Sequence, residues 1–134
     1  MFNFNMISQN YLTEIKTQLN SNKLIENIEL VKERAIPDQG YFRARLTLNN
    51  GDFLEVAEFF KVENGQCITV TYSYQWMNSS QTQLKKRWDN VKHFPDLPNF
   101  PHHVHVGDEL IVKASESRNI LQLLVLIEQE IQNG

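Results

Sequence analysis

The chain is 134 residues long with a net charge of -3, 41% hydrophobic and 22% charged residues, and one cysteine. This length supports a single domain over residues 1–134 with a substantial core. Nothing approaches the ~18 consecutive apolar residues of a membrane span, one cysteine excludes an internal disulfide, and the acidic balance gives no global attraction for nucleic acid.

The opening "MFNFNMISQNYLTEIKTQL" lacks a basic stretch, an apolar block and a small-residue cleavage site, so a cytoplasmic location is expected. Over residues 4–20, Met6, Ile7, Tyr11, Leu12, Ile15 and Leu19 recur at the spacing of one helical face, with Ser8 as candidate cap. Asn20, Ser21 and Asn22 break this helix, because their side chains compete for main-chain hydrogen bonds.

From Leu24 the period falls from 3.6 to 2: "IENIELVKERAI" alternates imperfectly and "YFRARLTL" cleanly. The breaks at Asn49-Asn50-Gly51-Asp52 and Asn64-Gly65 tolerate positive φ and mark tight hairpins around "FLEVAEFFKV" and "QCITVTYSYQW". Cys67 falls in that last alternating pattern and reads as a small strand residue rather than a nucleophile. "TQLKKRW" returns as a fifth strand, and Pro95, Pro98 and Pro101 make the next stretch an ordered loop holding the histidines outside the sheet. "ESRNILQLLVLIEQEIQNG" closes the chain as an amphipathic helix with Ser115 or Ser117 as candidate cap. The predicted fold class is α+β: an antiparallel meander of about five strands with an N-terminal and a C-terminal helix packed on one face.

All four histidines fall between His93 and His105, in a stretch where Lys85, Lys86, Arg87 and Lys92 outnumber Asp89 and Asp96. If extended, the stretch sends His103 and His105 to one side and His102 to the other. Two chemistries suit this. One is acid–base cleavage of a phosphodiester, with His103 or His105 as base, a second histidine (His93 among the candidates) as acid, Arg87 on the developing charge and Asp89 orienting an imidazole. It needs no cofactor, and the period-2 row Tyr72, Tyr74, Trp76, with Lys85 and His102, would bind RNA by stacking and charge.

The other is a divalent metal such as zinc on His103 and His105, with His93, Asp89 or Asp96 as the third ligand, although no second metal signature is present. Against both stands a non-catalytic binding module in which the aromatic row and Trp88 are packing and the histidine loop is structural. Either sheet edge of a meander offers a surface for a partner protein or a homodimer.

The segment "KKRWDNVKHFPDLPNFPHHVHVG", following Tyr72-x-Tyr74-x-Trp76, resembles a bacterial family of small domains related to the TumE-type toxins of type II toxin–antitoxin systems. The matching positions are Arg87, Asp89, Asn90, His93, Pro101, His102, His103, His105 and Gly107, within a resemblance covering roughly residues 24–131; Trp88 stands where that pattern leads one to expect tyrosine. The resemblance implies a toxin paired with a small antitoxin and acting as a ribonuclease.

Overall fold

The computed structural model describes residues 6–134; residues 4 and 5 of the predicted first helix lie outside them. Helix α1 (Met6–Ser21) is followed by strands β1 (Ile25–Ile36), β2 (Gln39–Leu48), β3 (Phe53–Glu63), β4 (Gln66–Met77), β5 (Leu84–Asp89), β6 (His103–Val106) and β7 (Val112–Ala114), then helix α2 (Ile120–Asn133). The strands form one antiparallel sheet in sequence order, β1 to β7, so the meander has seven strands rather than about five. Both additions lie after the proline-rich loop: its three prolines keep residues 95–101 out of the sheet, but they do not prevent the chain from re-entering it at His103.

The turns follow the local chemistry. Asn64 and Gly65 both have positive φ, 51° and 76°, as a tight two-residue hairpin requires. The imperfect alternation of β1 corresponds to two register shifts against β2, between Ile25 and Asn27 and between Leu30 and Lys32.

Both helices cover the same sheet face. Leu12, Ile15 and Leu19 of α1 and Ile120, Leu123, Leu124 and Ile127 of α2 share one core with Phe42, Ala44, Leu46, Leu54, Val56, Tyr74 and Trp88 from the sheet. Burying an aliphatic side chain of this size contributes about 1.5–3 kcal/mol, so the summed burial of these side chains holds both helices on this face.

Two predicted caps are corrected. Ser8 lies within α1, and its hydroxyl donates to the Ile36 carbonyl at 2.7 Å, fastening helix to sheet. At α2 the cap is Asn119, not Ser115 or Ser117: its side chain accepts from Gln122 N while Gln122 accepts from Asn119 N, a reciprocal capping box. Just before the helix, the Tyr74 hydroxyl donates to the Arg118 carbonyl at 2.8 Å, tying the approach to α2 to the sheet.

Among the described residues no helix covers the second sheet face. Along it, paired positions form cross-strand rows, one of which runs Lys32, Arg43, Ala57, Ser73, Asp89, His103 from β1 to β6. The parallel row beside it runs Arg45, Glu55, Gln75, Arg87, His105 from β2 to β6.

Candidate functional site

The last residues of these rows form the site. Asp89 ends β5, His103 and His105 flank Val104 on β6, and the register sets Asp89 opposite His103 and Arg87 opposite His105. Period-2 alternation sends these four side chains to the uncovered face, while Trp88 and Val104 between them enter the core. Asp89, His103 and His105 are nonetheless buried, because residues 90–102 fold over this end of the sheet. Phe94 from that loop stands edge-on to both imidazoles, 5.0 Å from His103 and 6.0 Å from His105 between ring centres. His103 and His105 are therefore strand residues beneath a loop, whereas His93 and His102 lie in the loop, outside the sheet, as expected.

The hydrogen bonds give the two imidazoles different surroundings. Nδ1 of His103 lies 2.9 Å from the Pro101 carbonyl and Nδ1 of His105 lies 2.8 Å from the Glu109 carbonyl. A carbonyl oxygen can only accept, so Nδ1 is the donor in each ring and Nε2 is the atom turned into the site. Nε2 of His103 meets Asp89 Oδ1 at 2.9 Å, a contact that closes as a hydrogen bond only with a proton between the two atoms. Nε2 of His105 instead faces the Arg87 guanidinium at 3.2 Å, from which it accepts, and lies 3.7 Å from Asp89 Oδ2. The two rings are 5.0 Å apart and nearly perpendicular, at 78°.

Asp89 is held from several sides: Oδ1 also accepts from Val91 N at 3.0 Å, and Oδ2 from Arg87 Nε at 3.2 Å. Arg87 is positioned in turn by Glu109, whose side chain its Nη1 contacts. A cleft of about 300 Å³, lined by Ser73, Gln75, Arg87, Asp89, His103 and His105, opens from this cluster.

Of the predicted catalytic residues, the structure brings together Arg87, Asp89, His103 and His105. His93 lies on the exposed rim of the same cleft, in edge contact with Phe94. Among the described residues the group with metal-ligand geometry is Asp89, His103 and His105, whose ligand atoms lie within 4.8 Å of one another; of the third ligands the sequence offered, Asp89 is the one in this group. The set fits a divalent cation in donor type, two imidazoles and one carboxylate.

The predicted substrate-binding residues lie elsewhere. Tyr72, Tyr74 and Trp76 are buried on the helix-covered face and offer no stacking surface. They are aromatic because they fill the core, and burial pushes the Tyr72 hydroxyl up to about 12, aided by the charge of Asp89. His102 stacks on Tyr72, and its Nδ1 lies 2.9 Å from the Tyr72 hydroxyl; burial, and to a lesser degree His103, lower its affinity for a second proton. Lys85 does not share a face with Arg87: a register shift where β4 meets β5 redirects it to Asp52 Oδ2 at 2.6 Å and over the Trp76 ring. Lys86 reaches Glu130 of α2 at 2.6 Å, so of the three consecutive cations Lys85, Lys86 and Arg87 only Arg87 stays in the site.

Sequence reasoning missed Glu109, Phe94, Ser73 and Gln75. The last two carry a readable signal, since they alternate with the Tyr72, Tyr74, Trp76 row and must face away from it. Glu109 and Phe94 reach the site only because the loops after β5 and β6 fold back, which no local periodicity encodes. Cys67 is half-buried; burial, with Glu58 and Glu14 nearby, raises its thiol, the opposite of what an activated nucleophile needs.

No helix among the described residues is long and apolar enough to cross a membrane. No curated protein and no solved structure matches the chain. A family model described as toxin TumE matches residues 15–133, which takes in the second part of α1, the entire sheet, every residue of the site and all of α2. The chain belongs to the TumE toxin family.

Proposed function

We propose that the protein is the toxin of a toxin–antitoxin pair and that its Asp89–His103–His105–Arg87 site cleaves RNA by general acid–base catalysis. The observation that carries this reading is the unlike pairing of two Nε2 atoms in one cleft: His103 meets a carboxylate and His105 a guanidinium. His105, as acceptor, takes the proton of a ribose 2′-hydroxyl while the 2′-oxygen bonds to phosphorus. His103 delivers the proton it shares with Asp89 to the departing 5′-oxygen as the P–O5′ bond breaks, leaving a 2′,3′-cyclic phosphate and a 5′-hydroxyl. Arg87 stabilises the added charge on the non-bridging oxygens, and Asp89 holds His103 in register. Family membership supports a partner antitoxin, for which the uncovered sheet edges are available surfaces.

A second reading has its own support. Two histidines and a carboxylate, each histidine anchored through Nδ1 to a main-chain carbonyl, suit a metal-dependent hydrolase. The position of Arg87 favours the first reading, because its guanidinium already lies against His105 Nε2 and Asp89 Oδ2, where a metal's charge would sit.

The test is cleavage of a synthetic RNA by the purified chain with chelator and with added zinc, alongside growth of a host in which the chain is induced. Chelator-resistant cleavage that falls by about 10² to 10⁴ in equally folded His103→Ala and His105→Ala is expected. Cleavage abolished by chelator transfers the site to the metal reading, and RNA left intact under every condition overturns both.

A further inference from the structure

We infer that the helix-free sheet face between β1 and β4 is the track that carries single-stranded RNA into the histidine cleft, with Lys32, Arg34 and Arg43 on its phosphates and Tyr41 and Phe59 under its bases. The inference rests on the ribonuclease reading of the site and names the surface that reading lacks, since the aromatic row expected to bind RNA is buried in the core.

The surface is a set of adjoining depressions. A cleft of about 420 Å³ at the far end is lined by Lys32, Arg34, Tyr41, Arg43 and Phe59, and among the described residues no carboxylate contributes to its lining. Tyr41 and Phe59 also line a second cleft that reaches Ser73 and Val91, and those two residues line the cleft of the histidines. The register explains the continuity. Arg34, Tyr41, Phe59 and Thr71 are successive cross-strand partners, and so are Lys32, Arg43, Ala57, Ser73, Asp89 and His103 in the next row. Ala57 and Ser73 are the small residues of that row, and they keep the floor low between the cations and Asp89. From β2 to β5 the path crosses three interstrand spacings, about 14 Å, a reach of a few nucleotides.

Chemistry selects the occupant. Lys32 and Arg34 have no carboxylate partner among the described residues, although Lys32 sits 5.9 Å above the Tyr41 ring. Arg43 is held by Glu55 through two contacts, 2.8 and 2.6 Å, which fix its guanidinium on the track. An acidic peptide would use the cations and leave the aromatic rings idle. Unpaired nucleotides use both, through sequence-tolerant stacking and charge, and the path ends where a phosphodiester would react.

The experiment is fluorescence anisotropy with a labelled poly-uridine oligonucleotide, in the full-length His103→Ala background so that the RNA survives. Lys32→Glu/Arg34→Glu is expected to weaken binding at least tenfold. Removing both cations also makes the salt dependence of log affinity shallower by about 1.4, given about 0.7 for each phosphate contact on a single strand. Tyr41→Ala weakens binding without changing that slope, and a Lys23→Glu/Lys113→Glu control of equal charge change has little effect.

Unchanged binding in the charge-reversed protein, an absence of binding in the parent, or a poly-glutamate peptide that displaces the labelled oligonucleotide as effectively as unlabelled poly-uridine does would overturn the inference. Failure of the two readings is distinguishable. A wild-type chain that binds RNA through Lys32 and Arg34 but never cleaves it keeps the track and loses the ribonuclease, whereas cleavage indifferent to both substitutions does the reverse.

Discussion

Asp89 is the residue on which the site depends most directly. It accepts from Val91 N, Arg87 Nε and the proton it shares with His103, and it stands 3.7 Å from His105. Asn in its place keeps an oxygen for the main-chain bond, but it removes the charge that pairs with Arg87 and holds the His103 proton. Asp89→Asn is expected to lower RNA cleavage about 10- to 100-fold, the usual cost of losing a partner that orients a functional histidine, with little change in oligonucleotide affinity. An equal loss of affinity would instead make Asp89 part of the binding surface. Arg87 shows why residue identity matters beyond charge: its planar fork reaches Asp89, His105 and Glu109 together, which the single ammonium of lysine cannot do.

Among the elements, the β1–β2 hairpin underlies the proposed RNA track. Its Gly40 is buried, and a Cβ there would lie 2.3 Å from Phe60 Cζ and 2.7 Å from the Arg34 carbonyl oxygen. The ring can yield but the backbone oxygen cannot without moving β1, so Gly40→Ala is expected to cost about 1–3 kcal/mol, the range for overpacking a core. Urea denaturation measures this; a midpoint equal to wild type would mean that β1 shifts freely. The proline-rich loop has a different role: it brings Phe94 onto His103 and His105 and buries both rings without supplying any of the four central groups.

Across the whole molecule, Glu58 joins both helices to the sheet. This fully buried carboxyl accepts from the Tyr11 hydroxyl at 2.6 Å, from Thr69 and Tyr74, and from the Ile120 main-chain N–H at the start of α2. Burial raises its affinity for a proton above the ordinary 4.5, and the hydrogen bonds from Tyr11, Ile120, Thr69 and Tyr74 oppose this only in part. A raised folded value means that the folded state keeps a proton the unfolded chain has lost. The stabilisation is therefore complete below about 4.5 and declines as pH rises through the folded value. The urea midpoint is expected to fall over that interval in wild type and to stay flatter in Glu58→Gln. Identical pH profiles would show that Glu58 is not the group responsible. Tyr11 and Tyr74 are raised for the same first cause, burial, followed by the charge of Glu58.

Much of this protein was decided within the sequence, because local periodicity and turn chemistry act over a few residues. The α+β class, the Asn64-Gly65 hairpin, the helix around Leu123 and Ile127, and the common side of His103 and His105 follow from spacing alone. The same period-2 rule that offered Tyr72, Tyr74 and Trp76 as a row on one face could not say which face the helices would cover; that is set by the summed burial of two amphipathic helices far away in the chain. Only the tertiary structure decided that β6 pairs with β5, placing His103 opposite Asp89 and His105 opposite Arg87. It also decided that the register shift beside Lys85 turns that lysine away, and that Lys32 and Arg43 of β1 and β2 share a cross-strand row with a histidine sixty or more residues later in the sequence. Those outcomes depend on interstrand register, a property of pairs of segments that no single segment carries.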